Sequence, residues 1–271
     1  MNIPFLNKNR FSIEKENYRT LQEYSGNICF ITSYPRSGNT WLRYLITDVL
    51  LNLRGERINV LDIPDYTNNV IPDIHINNIL ETQLTPQQNL PVFCKTHHNI
   101  EKIKRNCKKH DIIFLYLVRD PFDALVSHYH YQTQRCNDSK IRDVDAFCLK
   151  ELRFWIEHSH MALSQVKSKS LLVIKYETLL TETEFQVFRF FSWLGLKIEK
   201  EMIECVVKKM QFQALQKMEK SGTSPLPNTL FFRKGKAGTG REELKHSTIL
   251  QIEKETSGIL DELHFLNKVM P

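Results

Sequence analysis

The chain has no apolar stretch long enough to cross a membrane. Its longest apolar run lies around Ile112–Val118, a strand's length and far short of the roughly 20 residues a spanning helix requires. Residues 1–17 mix Asn, Lys and Glu with isolated apolar residues and carry no leader-type apolar stretch. A cytoplasmic location is the resulting expectation. Paired cysteines are missing too. Cys29, Cys94, Cys107, Cys136, Cys148 and Cys205 form no CxxC, which argues against a zinc-ribbon or dithiol redox site. Several sit in apolar context, where a free thiol behaves as a small hydrophobe. HExxH and related spacings are absent, so no metal is expected. No arginine-rich tract or RNP-like aromatic motif accompanies the formal net charge of +6, and nucleic acid is not favoured. The basic balance still suits an anionic partner such as a nucleotide. Lys102, Lys104, Arg105, Lys108 and Lys109 read as a solvated helix face.

What is present is ordinary for a globular enzyme: 271 residues, 41% hydrophobic and 25% charged. That length accommodates a single core. There is no internal repeat or low-complexity linker. Short apolar runs alternate with amphipathic stretches, which predicts an α/β fold with a central, mainly parallel sheet flanked by helices. Residues 27–33 (NICFITS), 91–95, 111–118 (DIIFLYLV) and 170–175 (SLLVIK) read as strands. The third is too apolar to have a wet face, as central parallel strands are. Helices are predicted over 40–53, 121–134, 145–166, 182–194 and 200–209, and over 242–266 with a break near Gly258. In the first of these, Trp41, Leu42, Leu45, Ile46, Val49, Leu50 and Leu53 share a face, with Arg43, Asp48 and Asn52 away from it. Gly55 is a terminator. Asp120 and Pro121 read as a cap and first-turn proline. Residues 221–240 form a long loop, a feature that is often functional.

The richest local signal is Ser33-Tyr34-Pro35-Arg36-Ser37-Gly38-Asn39-Thr40-Trp41, between a buried strand and an amphipathic helix. Backbone N–H groups and the helix dipole hold anions at such a place. Gly38 permits close approach. Ser37, Asn39 and Thr40 add polar side chains, and Arg36 adds charge. It is not a Walker A loop, since GxxxxGK[ST] is absent. A second string, Arg119-Asp120-Pro121-Phe122-Asp123-Ala124-Leu125-Val126-Ser127, follows the most apolar strand, with Arg119 at the carboxyl edge where open α/β sheets bind ligands. A third is Arg233-Lys234-Gly235 in the late loop. A fourth, Lys95-Thr96-His97-His98, ends a strand.

Together and in order, these strings resemble the sulfotransferases that use 3′-phosphoadenosine 5′-phosphosulfate (PAPS), over roughly residues 27–240. Tyr34, Pro35, Ser37, Gly38, Thr40 and Trp41 match the family's 5′-phosphosulfate loop, close to YPKSGTTW. Arg36 stands where lysine is usual and Asn39 where threonine is. The resemblance implies that Arg119 and Ser127 grip the 3′-phosphate, joined by Arg233, Lys234 and the Gly235 amide. It implies that Tyr176, Phe212 and Trp41 meet the adenine, although each also reads as a core aromatic. After Gly235 the family continues GDW, whereas this chain has Gly238-Thr239-Gly240-Arg241. On the acceptor side the resemblance makes His97 the general base, with His98 its immediate rival. Lys95 and Arg36 would stabilise charge on the transferring and leaving groups.

The implied fold is one domain of P-loop-kinase-like three-layer form: an N-terminal extension over 1–24, a core over 25–240 and C-terminal helices over 241–271. The implied activity is sulfuryl transfer from PAPS to a hydroxyl or amine of a small-molecule or carbohydrate acceptor, releasing 3′-phosphoadenosine 5′-phosphate (PAP), in a monomer or homodimer. Residues 62–70, 135–145 and 221–229 lie where an acceptor pocket would be shaped. The rivals are a small-molecule kinase of related fold and a non-catalytic nucleotide-binding protein. The first needs a Walker-type lysine and a magnesium-holding carboxylate, neither of which is in place. His97 and Lys95 at a strand end speak against the second.

Overall fold

The computed structural model describes residues 4–62, 66–77, 79, 90–109, 111–136, 138, 140–220 and 235–269, with side chains excepted at 4–10 and 264–269. Among them, β1 (Ile28–Thr32), β2 (Val92–Thr96), β3 (Ile112–Val118) and β4 (Leu171–Lys175) form a parallel four-stranded sheet in the order β2-β1-β3-β4. All four predicted strands are present, each beginning one residue later than the sequence pattern set it.

Strand alternation sorts the core into two layers. Phe30, Phe114 and Tyr116 face one side, with Trp155 of α6 (Val144–Leu163) and Phe122 of α5 (Pro121–His130). Cys29, Ile31, Leu115 and Leu117 face the other, with Leu45 of α2 (Asn39–Leu53) and Phe190 of α8 (Thr183–Trp193). The first layer also takes α1 (Pro4–Glu23), through Tyr18 and Leu21, and α4 (Ile100–Asn106), through Ile100 and Ile103. The second takes α9 (Lys200–Lys209) through Ile203 and Val206. Lys102, Lys104 and Arg105 on α4 are exposed, as the solvated-face reading expected.

Three helix expectations change. Arg43 and Asp48 point away from the apolar stripe of α2, yet both are buried. Asp48 is held by Lys209 of α9 at 2.7 Å, and the Arg43 guanidinium meets Asn68 at 3.0 Å and the Ile71 carbonyl. Neighbouring elements therefore cover the polar side of this helix. The final helix, α11 (His246–Val269), runs through Gly258 without a break. One glycine costs a helix only ~1 kcal/mol, and Ile252, Ile259 and Leu263 anchor both halves on the core. The helix after β3 changes to a π-helical turn at Tyr131–Arg135. The short helices α3 (Thr67–Val70), α7 (Tyr176–Thr181) and α10 (Phe212–Lys220), with a 3-10 turn at Arg241–Glu243, complete the set among the described residues.

Candidate active site

The strand order creates the crevice. The chain leaves β1 toward α2 on one face of the sheet and leaves β3 toward α5 on the other. Between two such neighbours the carboxyl edge opens, the usual binding place in α/β sheets.

The turn after β1 bends sharply at two left-handed residues, Arg36 (φ 67°) and Gly38 (φ 98°). Arg36 is the single non-glycine with positive φ among the described residues, a conformation that costs about 1–2 kcal/mol. Gly38 is required: a Cβ there would lie 2.5 Å from the Tyr176 ring. α2 starts at this glycine with no side-chain cap, so its first N–H groups face the crevice. The Ser37 hydroxyl and Asn39 Oδ1 are buried without a hydrogen-bond partner. Native proteins rarely leave such groups alone, and an anion at the helix start would engage the hydroxyl and the amides together.

Arg119 closes the crevice from β3. Its guanidinium donates to the Arg36 carbonyl at 3.1 Å, lies 3.6 Å from Asp123, and stacks 4.4 Å over the Tyr176 ring. Its buried Nε has no partner. Arg36 Nε donates to Ser127 Oγ at 3.3 Å, so the two phosphate strings of the sequence meet across the crevice. The Trp41 indole donates to the Met210 carbonyl at 3.0 Å and meets Tyr176 edge-on. Trp41 and Tyr176 are thus both packed against the protein and beside the loop. Phe212 lies against Gly235, where a Cβ would meet its ring at 2.5 Å. Arg233 and Lys234 lie outside the described residues, as does the 221–229 stretch.

Asp123, buried on α5, was not singled out by the sequence. Its carboxylate accepts from the Gly238 and Gly240 amides at 2.7 Å each. Gly240 lies so near the Phe122 carbonyl that a Cβ would be 2.4 Å from it. Arg241 stacks over the Phe122 ring at 3.8 Å. These contacts fix the segment where the family's tryptophan and aspartate are missing. The signal available was Asp123's place one turn after Arg119.

The strand-end histidines differ sharply. His97 Nδ1 donates to the Ser33 carbonyl at 2.9 Å, which leaves the lone pair on Nε2. No hydrogen bond among the described residues engages that Nε2. Burial, and then the Lys95 charge, hold His97 well below the usual imidazole range, so it is neutral at pH 7. His98 has both ring nitrogens occupied, Nδ1 by the Tyr18 hydroxyl at 2.9 Å and Nε2 by Glu14 at 3.4 Å. Lys95 is engaged by a carboxylate. Its ammonium is buried against Asp73 at 2.6 Å. Burial pushes the Asp73 carboxyl up, but Lys95, Arg43 and His75 outweigh it and hold it well below the carboxylate range. The charge expected to meet the leaving group is thus matched inside the protein.

A sulfotransferase domain model matches residues 28–262. The chain belongs to that family. It is 26% identical over 235 residues to a 3-beta-hydroxysteroid sulfotransferase of Cavia porcellus, covering 82% of this chain and 78% of the relative. It is 26% identical over 260 residues to cytosolic sulfotransferase 5 of Arabidopsis thaliana, covering 84% and 80%. Mouse sulfotransferase SULT7A1, solved in complex with PAP, superimposes with a TM-score of 0.65 at 20% identity, covering 91% of this chain and 89% of that one. The P-loop-kinase-like sandwich expected from the sequence is therefore the observed fold, and the sulfotransferase is a transferase of that type. No helix among the described residues is long and apolar enough to span a membrane.

Proposed function

We propose that this sulfotransferase moves the sulfuryl group of PAPS onto a hydroxyl of a small-molecule acceptor, with His97 as the general base. The observation that carries the reading is the His97 imidazole. It is neutral, oriented through Nδ1 by Ser33 at the entrance of the phosphate turn, and open at Nε2. In the reaction the acceptor O–H gives its proton to Nε2 while its oxygen bonds to sulfur. The bond from sulfur to the bridging phosphate oxygen breaks in line, and PAP leaves with the electron pair. As in phosphoryl transfer, positioning and electrostatics supply most of the acceleration.

The uncapped start of α2, the Ser37 hydroxyl and Arg36 would receive the phosphosulfate end. Arg119 and Ser127 would receive the 3′-phosphate, and Arg233, Lys234 and the Gly235 amide are assigned to it by resemblance. Asn39 and Thr40 lie in the same turn. Tyr176, Trp41 and Phe212 would form the wall for the base. Lys95 is reassigned from direct charge stabilisation to positioning, since its field acts on His97 while Asp73 holds its ammonium. The steroid sulfotransferase relative favours a small hydroxylated acceptor.

The test is transfer of labelled sulfuryl from PAPS across panels of sterols, phenols, sugars, alkyl alcohols and amines. Label in an acceptor, lost in His97→Ala, is expected. Calorimetry in which ATP binds as tightly as PAP would overturn the donor assignment.

A further inference from the structure

Glu14, His75 and His98 converge from three parts of the chain. Glu14 lies on α1, His75 between α3 and β2, and His98 just beyond β2. One Glu14 carboxylate oxygen is 3.0 Å from His75 Nδ1 and the other is 3.4 Å from His98 Nε2. The two rings meet edge to face with centroids 4.7 Å apart. The three candidate ligand atoms lie within 4.8 Å of one another.

The outer nitrogens are held as well. His75 Nε2 is 2.9 Å from Thr96 Oγ1, and His98 Nδ1 is 2.9 Å from the Tyr18 hydroxyl. Outer partners of this kind fix ring orientation and tautomer in metal sites. Glu14 and Tyr18 also line a cleft of about 480 Å³ between α1 and α4, bordered by Lys102 and Asn106.

We propose that Glu14, His75 and His98 form a zinc-binding site, with two imidazoles, one carboxylate and a fourth position open to water. Two nitrogens and one oxygen are a ligand set that Zn²⁺ accepts, and an open fourth position distinguishes it from a closed structural site. Metal on His75 Nδ1 puts the ring proton on Nε2, where Thr96 Oγ1 accepts it. The 3.3 Å approach of the His97 amide to that same nitrogen is then given up. Occupancy thus joins α1 to the strand end carrying His97. Positions 14, 75 and 98 are too far apart for any spacing motif, which is why no metal was expected from motif spacing.

The test titrates zinc chloride calorimetrically into the full chain carrying Cys136→Ser and Cys205→Ser, which removes the exposed thiols. One ion per chain with micromolar affinity is expected, weakened about tenfold or more in Glu14→Gln and in His98→Asn. Absence of saturable binding at micromolar zinc overturns the proposal. So does unchanged affinity in both variants when their circular dichroism is intact. If either variant fails to fold, cobalt(II) in the parent decides. Visible bands of a four- or five-coordinate nitrogen–oxygen site support the assignment, whereas thiolate charge transfer or no bands refutes it.

Discussion

His97 Nδ1 donates a hydrogen bond to the carbonyl of Ser33, 2.9 Å away. Ser33 is the last residue before the turn after β1, so the proposed base is tied to the element proposed to receive the donor. β1 and β2 run side by side in register, with Thr32 opposite Thr96. Their two carboxyl ends therefore emerge together, and a histidine just past β2 necessarily lies beside the turn after β1. The hydrogen bond then turns the ring so that Nε2 carries the lone pair.

Replacing His97 by Ala is expected to lower kcat about 10²–10⁴-fold, the usual range for a general base. PAP affinity by calorimetry should stay near the parent value, because the proposed phosphate contacts come from other elements. His98, whose ring nitrogens are both occupied, should retain most activity when changed to Gln. A larger kcat loss in His98→Gln than in His97→Ala would exchange the two roles.

The base must be neutral to accept a proton. Burial and the Lys95 charge lower the His97 pKa well below 6.5. The protonated, inactive form therefore appears only at acid pH. In a pH profile of kcat/KM, the acid limb should fall below the ordinary histidine range. A limb centred at or above pH 6.5 would show that the working base is not held as His97 is here.

Arg119→Ala should act on the donor. The side chain supports the Arg36 carbonyl, approaches Asp123 and covers Tyr176. Hydrogen bonds to a charged group contribute about 1.5–3 kcal/mol, so PAP affinity should drop roughly ten- to a hundredfold. The calorimetric Kd measures this directly. A kcat loss with unchanged PAP affinity would instead place Arg119 on the acceptor side.

The fold was legible because each strand is apolar, short and bounded, and the candidate site because its residues are concentrated in short strings. Ser33–Trp41 and Arg119–Ser127 could be read as local text. Contacts between distant positions could not. Lys95 looked like a free catalytic cation because its partner, Asp73, is 22 residues away in the chain. The burial of Asp48 could not be read because its partner, Lys209, is 161 residues away. Gly258 looked like a break because propensity is local, whereas α11 is held by core contacts on both sides of that glycine.

Asp120 caps α5 by accepting from the Phe122 and Asp123 amides at 3.0 and 3.2 Å. Burial nevertheless raises its pKa from 3.8 to about 6. The folded protein therefore holds a proton that the unfolded chain releases between those values. Stability from this group is complete below about pH 4 and is lost as pH rises through 6. Asparagine offers the same acceptor oxygen without the charge. Asp120→Asn should thus melt several degrees higher than the parent at pH 7–8, corresponding to at most about 3 kcal/mol, and match it near pH 4. Thermal melts of both proteins across that range measure the difference. A deficit for Asp120→Asn at pH 7.5 would mean that the ionised carboxylate stabilises the cap more than its burial disfavours it.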